Sequence, residues 1–338
     1  MYHPRLKGNH YEIGKHYGDL LYKTGQDLSS VIILNREQVE FGKLCLPIYE
    51  KYMKDVMEEV RGLADGLHQQ YKEVAYWLFN IYCNKEEHGC SVFVVKENDN
   101  VYFARNMDMF LEYKKTSESV LYRVENKNTF LAHSTAMISL EDGINEYGLC
   151  IALTFLLSKK IKPGINGGFI IRKVLEECKT TKEAVELIKT LPKSSSHNLV
   201  IADKSGDMAV IECTSEDMNV RYNEKYLIAT NHFISDNMVK YNNEEYNWYY
   251  TNDRYTTIDK CLKHNSNINF EECKNIISGK YGFVCQFTKD LRFDTIWSAV
   301  YRLNDLYNEI CEGNPSKSKY TYDNRLEWGL KQNNKKIK

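Results

Sequence analysis

Apolar residues recur at steps of three and four through the first part of the chain, at Ile48, Tyr52, Val56, Val60, Leu63, Ala64 and Leu67, with charges between them. That period predicts an amphipathic helix with one face turned to a core. Gly66 stands near the end of the stripe, and a further helix is expected from Tyr71 to about Tyr82. From Cys90 the pattern changes to strands. Residues 91–95 and 101–105 flank Glu97-Asn98-Asp99-Asn100, an Asn/Asp-rich turn, which predicts a hairpin. A second hairpin is expected from residues 198–202 and 207–212 around Asp203-Lys204-Ser205-Gly206. Between the hairpins lie two amphipathic helices, about 168–178 and 181–190. Thr180 and Glu183 form a capping box for the second, and Pro192 closes it. A strand at 226–230, helices near 253–263 and 268–278, and strands at 294–302 complete the reading. Strand pairs, a central helix pair and further strands predict helices packed outside stacked sheets. Gly313-Asn314-Pro315 reads as a late turn, and only the last fifteen or so residues read as dispensable.

Composition narrows the classes. A chain of 338 residues accommodates one large domain, or one domain after a sizeable N-terminal segment, and the change of pattern puts the boundary between residues 89 and 90. A net charge of -1 leaves no electrostatic footprint for nucleic acid. The basic stretch Lys331–Lys338 reads as a solvated end. The longest apolar run, Leu149–Leu157, is interrupted by Thr154 and has the length of a strand, so no membrane span is expected. Met1-Tyr2-His3-Pro4-Arg5 lacks the apolar stretch of a secretory signal. Ten scattered cysteines without a CxxC pattern are expected to be reduced thiols, which points to a cytoplasmic protein.

Candidate chemistry centres on Gly89-Cys90, at the threshold of the first hairpin. A chain cut at this bond would expose a cysteine carrying a thiol nucleophile and an α-amino base on one Cα. The amine, with an ordinary pKa of about 8, needs little tuning to take the thiol proton. Gly89 permits a strained backbone at the junction that a β-carbon would hinder. Arg105 would hold the thiolate by charge, and Asp108 would orient the amine or the guanidinium. Residues three apart on a strand face opposite sides, so both reach the thiol only if the chain turns after Asn106. Asn145, in Gly143-Ile144-Asn145-Glu146-Tyr147-Gly148, and Asn231, in Thr230-Asn231-His232, are the candidate oxyanion donors. For each of these residues the ordinary alternative is a turn glycine, a buried core thiol, a strand-end ion pair or a turn asparagine. Cys83, His88 and Cys90 lack a fourth zinc ligand at a recognised spacing, and no metal or cofactor is expected. Gly164-Ile165-Asn166-Gly167-Gly168 lacks the Gly-Lys-Ser/Thr ending of a phosphate loop and reads as a helix entry.

Taken together these motifs resemble those of the N-terminal-nucleophile hydrolases. The similarity is to the self-processing acyltransferases of the isopenicillin N acyltransferase kind and, further off, to choloylglycine hydrolases and penicillin V acylases. The resemblance runs in order through residues 10–14 with Gly18, residues 58–66, Gly89-Cys90-Ser91, Arg105-Asn106-Met107-Asp108, residues 145–148 and 198–203, Thr230-Asn231-His232, Arg254 and Thr295-Ile296-Trp297-Ser298. It implies an α+β fold, a four-layer αββα sandwich behind a helical N-terminal pro-segment, with residues 1–89 as the segment and 90–338 as the catalytic domain. It implies amide-bond chemistry with Cys90 as nucleophile, Arg105 and Asp108 beside it, Asn145 and Asn231 near the oxyanion and Arg254 in support. The substrate would be a small acyl amide or acyl thioester, and the two fragments would stay associated. The pattern departs from the family in two respects: Ser91 stands where Thr is commoner, and 89 residues precede the cysteine, whereas choloylglycine hydrolases have almost none. The rival readings are a papain-like protease pairing Cys90 with His133, His197 or His232, and a non-catalytic binding protein on the same fold.

Overall fold

The computed structural model describes residues 1–25, 32–83, 89–243 and 249–334. The chain opens with β1 (Arg5–Gly8), α1 (His10–Lys23), α2 (Arg36–Tyr52), α3 (Lys54–Leu67) and α4 (Tyr71–Asn80). There follow β2 (Gly89–Glu97), β3 (Asn100–Phe110), β4 (Glu118–Val124), β5 (Phe130–Ser134), β6 (Asp142–Asn145) and β7 (Cys150–Phe155). Next come α5 (Gly167–Glu177), α6 (Thr181–Thr190), β8 (His197–Ala202), β9 (Met208–Cys213), β10 (Met218–Tyr222) and β11 (Tyr226–Ala229). The last part holds α7 (Thr251–His264), α8 (Phe270–Ile277), β12 (Phe287–Thr288), β13 (Phe293–Arg302), β14 (Tyr307–Cys311), β15 (Tyr320–Tyr322) and α9 (Arg325–Asn334).

The strands form two sheets. One runs β1-β4-β5-β6-β7-β8-β9-β10, the other β11-β2-β3-β13-β14-β15 with β12 paired to β13. Three apolar clusters order the layers. Cys90, Val92, Val94, Phe103 and Trp297 of one sheet meet Leu131, Ile144, Ala152 and Val200 of the other between the sheets. Helices α1 to α6 cover the outer face of the first sheet, and α7 and α8 that of the second. Each sheet buries both faces, and β2, β3 and β7 are accordingly buried along almost their whole length. The result is an αββα sandwich, the architecture the resemblance implies.

The two hairpins, α5, α6, α7, α8 and β13 stand close to where the sequence pattern puts them. Asn166 caps α5 through the backbone N–H of Phe169, which makes the glycine-rich stretch a helix entry. Elsewhere the structure corrects the expectation. The long apolar stripe is two helices broken at Met53, where the backbone leaves helical geometry. Thr180 accepts from the Glu183 N–H, but the Glu183 carboxylate accepts from Lys179, so the box is half formed. The N-terminal segment is not purely helical: β1 pairs parallel with β4 and extends the first sheet.

Glycines set the spacing of α1 and α3. A β-carbon on Gly14 would lie 2.0 Å from the Glu59 carbonyl oxygen, and one on Gly62 2.1 Å from that of Tyr11. Gly18 and Gly66 face Leu63 and Lys15 backbone at 2.5 and 2.4 Å. Only residues without side chains let the two backbones touch. This contact presents His10 of α1 and Glu59 of α3 to α5, where Arg172 bonds Glu59 Oε1 at 3.1 Å and Oε2 at 2.5 Å, and Glu176 at 2.6 Å. His10 Nε2 lies 3.2 Å from Glu176. His10, Glu59 and Glu176 come within 4.8 Å of one another. The guanidinium already supplies the cation that such a cluster would otherwise recruit.

Candidate active site

Burial alone does not single out Cys90, since eight of the ten thiols are buried. Its partners do. Cys90 begins the core of β2, opposite Met107 of β3, and its strand neighbour on the other side, β11, stops at Ala229. Past that end the chain turns in, and Asn231 takes the place of a strand partner: its Oδ1 accepts the Cys90 N–H at 2.9 Å. The Cys90 carbonyl accepts from Arg254 Nη1 at 2.5 Å. The thiol lies 3.5 Å from Arg105 Nη2 and 3.8 Å from Met107 Sδ. Nitrogen, oxygen and sulfur of one residue are thus each held by a buried side chain from a different element.

Arg105 and Asp108 are divided between the two faces of β3. The strand runs straight to Phe110, without the turn after Asn106 that would bring both to the thiol. Arg105 enters the space between the sheets, its guanidinium 4.7 Å over the Trp297 ring and 3.9 Å from both Glu141 and Asp142. Asp108 faces away, accepting from Thr295 Oγ1 at 2.5 Å and from Arg254 Nη1 at 3.4 Å. It also packs over Gly89, where a β-carbon would lie 2.9 Å from Asp108 Cβ and 3.0 Å from Oδ2. Gly89 has no positive φ. Its missing side chain makes room for Asp108.

Arg254, at the start of α7, joins the two halves. Besides the Cys90 carbonyl it donates to Ser91 Oγ at 2.9 Å and to Asn231 Oδ1 at 2.7 Å. Asn231 in turn donates from Nδ2 to the Phe155 carbonyl at 2.7 Å, so it ties the end of β7 to the start of β2. It meets Cys90 with its carbonyl oxygen, an acceptor, where the sequence reading expects a donor. Asn145 is not brought to this cluster. Its amide nitrogen bonds the Leu175 and Cys178 carbonyls, and its oxygen accepts from the Tyr147 and Leu149 N–H groups. It closes the β6–β7 turn onto the C-terminus of α5, the ordinary work of a turn asparagine.

Burial governs the electrostatics. It pushes the Cys90 thiol above its ordinary pKa, the charge of Arg105 offsetting part of the rise. It likewise carries Asp108 up to about 6 against the pull of Arg254 and Thr295. Arg105 remains cationic, because Cys90, Asp142 and Glu141 outweigh its desolvation. Behind it His133 Nδ1 bonds Asp142 at 2.7 Å, and Tyr301 OH reaches both. Glu141, Asp142, Thr295 and Thr251, whose Oγ1 accepts from the Asn231 N–H at 2.7 Å, escape the sequence reading of the site. Thr295 alone carries a signal, its place in the Thr295–Ser298 stretch. No histidine is among the hydrogen-bond partners of Cys90 in the described residues: His133 serves Asp142, His232 faces Thr230 and Thr251, and His197 faces Ser195. His88 lies outside the described residues.

The αββα sandwich and the family model that matches the chain together define the class: a hydrolase of the N-terminal-nucleophile type. The chain belongs to the family of acyl-coenzyme A:6-aminopenicillanic acid acyl-transferase, whose model matches residues 95–317, more than half its length. The matched span opens within β2, beyond Cys90. The family makes the protein an acyltransferase or amide hydrolase of this type. The fold is similar to that of a variant conjugated bile acid hydrolase from Clostridium perfringens, with a TM-score of 0.52 and 15% identity over 70% of this chain and 93% of that one. A second variant of that enzyme aligns with a TM-score of 0.49 and 16% identity over 70% and 93% of the two chains. Penicillin V acylase from Agrobacterium tumefaciens aligns with a TM-score of 0.49 and 18% identity over 66% and 82%. The chain matches no curated protein sequence. No helix among the described residues is long and apolar enough to cross a membrane.

Proposed function

We propose that the protein cuts itself between Gly89 and Cys90 and then acts as a cysteine amide hydrolase or acyltransferase on a small acyl amide. In the first reaction Cys90 Sγ adds to the Gly89 carbonyl carbon, the C–N bond to Cys90 breaks, and the nitrogen takes up the thiol proton. Water then hydrolyses the thioester, leaving a Gly89 carboxylate and a Cys90 with free thiol and free α-amine. In turnover the same thiol attacks the substrate carbonyl, its proton passes through the α-amine to the departing amine, and water or a second amine releases the acyl group. Asn231 Oδ1 holds the α-amine in place, Arg105 the sulfur and Arg254 the carbonyl.

One observation carries this reading: all three polar atoms of Cys90 are held by buried side chains, two of them cationic. A core thiol in a strand finds its backbone partners on the neighbouring strands and needs no guanidinium at its sulfur. Arg105 also answers a specific need. A fully buried thiol is a poor nucleophile, and a guanidinium at 3.5 Å offsets part of the rise in its pKa. Among the described residues no histidine hydrogen-bonds Cys90, which favours an α-amine as the base over a papain-like pair. Cleavage would leave residues 1–89 and 90–338 as two pieces of one folded body.

The test is the intact mass of the purified protein. Wild type should give two fragments parting at Gly89/Cys90, and Cys90→Ala should stay full length. Efficient cutting of Cys90→Ala would overturn the proposal.

A further inference from the structure

The face of the first sheet that meets the second is apolar, with Ala152, Val200 and Val210 in its layer. Two residues along each strand, the same face carries a polar row. Thr154 of β7 lies opposite Asn198 of β8, Asn198 opposite Glu212 of β9, and Glu212 opposite Asn219 of β10. Directly opposed residues share a face, and so do residues two apart on one strand, so this row stands beside the apolar one. Thr154, Asn198 and Glu212 are fully buried. Polar groups in such a place are costly unless each finds a partner.

The partners all lie on one stretch of chain, residues 230–235, which follows β11 and carries Asn231. Thr154 Oγ1 donates to the Thr230 carbonyl at 2.5 Å. Asn198 Nδ2 lies 3.0 Å from that carbonyl, 3.1 Å from the His232 carbonyl and 3.0 Å from Thr154 Oγ1. Glu212 accepts from the Ile234 N–H at 2.9 Å and the Ser235 N–H at 3.1 Å, its charge met by Arg221 Nε at 3.0 Å. Asn219 Nδ2 donates to Ser235 Oγ at 2.8 Å. Asn198 therefore grips the carbonyls on both sides of Asn231. Its own Oδ1 is buried without a partner, so the amide is oriented by its donors alone. Turned over, it would set an oxygen against the oxygens of Thr154, Thr230 and His232.

We infer that Asn198 is a positioning residue for the reaction at Cys90: it fixes the peptide groups that flank Asn231, and so keeps Asn231 Oδ1 on the Cys90 nitrogen. The inference rests on the proposed part of Asn231 in that reaction. Strand pairing does not hold Asn231, because β11 ends at Ala229. The polar row supplies from the first sheet the hold that a ladder would give from the second. Together with Thr251 Oγ1, which accepts the Asn231 N–H at 2.7 Å, it fixes the backbone of that residue before, at and after its Cα. A group displaced by about 1 Å can lose about 100-fold in rate, so a residue that touches neither Cys90 nor substrate can still govern the chemistry.

The experiment follows self-cleavage by intact mass in protein made by cell-free synthesis. Asn198→Ala should cut about tenfold or more slowly, because the His232 carbonyl loses its donor and the Thr230 carbonyl one of two. Thr154→Val, which keeps the shape and removes one donor, should slow cutting by a smaller factor and carries the same comparison if Asn198→Ala does not fold. Gly62→Ala, which crowds the outer helices, should cut at the wild-type rate. In an Asn231→Ala chain, adding Asn198→Ala should slow cutting by less than about twofold, since a residue acting through Asn231 has nothing further to lose. The uncut Cys90→Ala chain gives a readout free of the chemistry: there Asn198→Ala should speed hydrogen exchange of the residue 90 amide about tenfold or more and leave α3 unchanged. A wild-type rate in Asn198→Ala, an equal loss in Gly62→Ala, an undiminished loss in the Asn231→Ala chain or unchanged exchange at residue 90 overturns the inference. Faster exchange at residue 90, together with a wild-type protein that never cuts, upholds Asn198 and overturns self-cleavage.

Discussion

At the scale of single residues, Asn231 and Asp108 carry the sharpest consequences. Asn231 meets Cys90 as an acceptor, so its role can be separated from that of an oxyanion donor by substitution. Asn231→Asp keeps an acceptor at that place and loses the donor, while Asn231→Ala loses both. If holding the Cys90 nitrogen is what matters, Asn231→Asp should retain most of the rate of self-cleavage, and Asn231→Ala should lose about 100-fold, the usual scale for one site hydrogen bond. Equal losses in the two variants would assign the residue to the oxyanion instead. Asp108 adds a pH dependence with two opposite signs. Its folded pKa, raised to about 6 from 3.8, means that the folded protein binds the proton more tightly than the unfolded chain. Its contribution to stability therefore falls as pH rises from about 4 to 6. The ionised form is the one that pairs with Arg254 and can receive the new α-amine, so activity should fall below about pH 6. Asp108→Asn should flatten the acid limb of the rate profile; an unchanged limb would remove Asp108 from the chemistry.

At the scale of elements, the hairpin of β2 and β3 could be read from its two strand-length runs and its Asn-Asp turn, whereas the register that sets Cys90 opposite Met107 came with the structure. The glycines of the first helices could be noticed but not interpreted, because their meaning lies in contact between segments about fifty residues apart. The same limit hid Glu141 and Asp142, which reach Arg105 only because the two sheets stack, and Thr295, which reaches Asp108 through the pairing of β13 with β3. Asn145 shows the converse error. A turn asparagine and a site asparagine look alike in sequence, and only the approach of the α5 C-terminus tells them apart. The contact of α1 with α3 makes its own prediction. Gly62→Ala puts a methyl group against the Tyr11 carbonyl and must part the two helices, at a cost of about 1–3 kcal/mol for overpacking. A lowered midpoint in urea checks it. Ala at exposed Gly25, where a β-carbon meets nothing but the left-handed φ still strains the backbone, is the comparison for the cost of conformation without crowding.

At the scale of the whole molecule, cleavage at residue 89 would cut the covalent link between the outer helices and the sheet they cover, yet leave the contacts of that layer in place. Ile13, Tyr17, Val56, Val60, Leu63 and Phe79 are all buried in the shared core. Exposing each would cost about 1.5–3 kcal/mol. The Arg172 network adds specificity to that layer. The guanidinium serves its two carboxylates unequally: burial outweighs it at Glu59 and pushes that group up, whereas at Glu176 Arg172 and His10 overcome burial and hold the pKa at about 2. Glu176 thus supports the fold above its ordinary pKa, and that support is lost only as pH falls toward 2. Because the network is buried, salt screens it little. The cut protein should therefore elute as one species in size-exclusion chromatography at neutral pH, in low salt and in about 1 M sodium chloride alike, a concentration at which the Debye length shrinks to roughly 3 Å. Arg172→Met leaves two buried carboxylates without their cation and should destabilise the protein by about 3–5 kcal/mol. Restoring the balance with Glu59→Gln in the same chain should recover part of that loss. Separate elution of the two fragments of the wild-type protein would show that the helical layer depends on the peptide bond at Gly89 and not on its own packing.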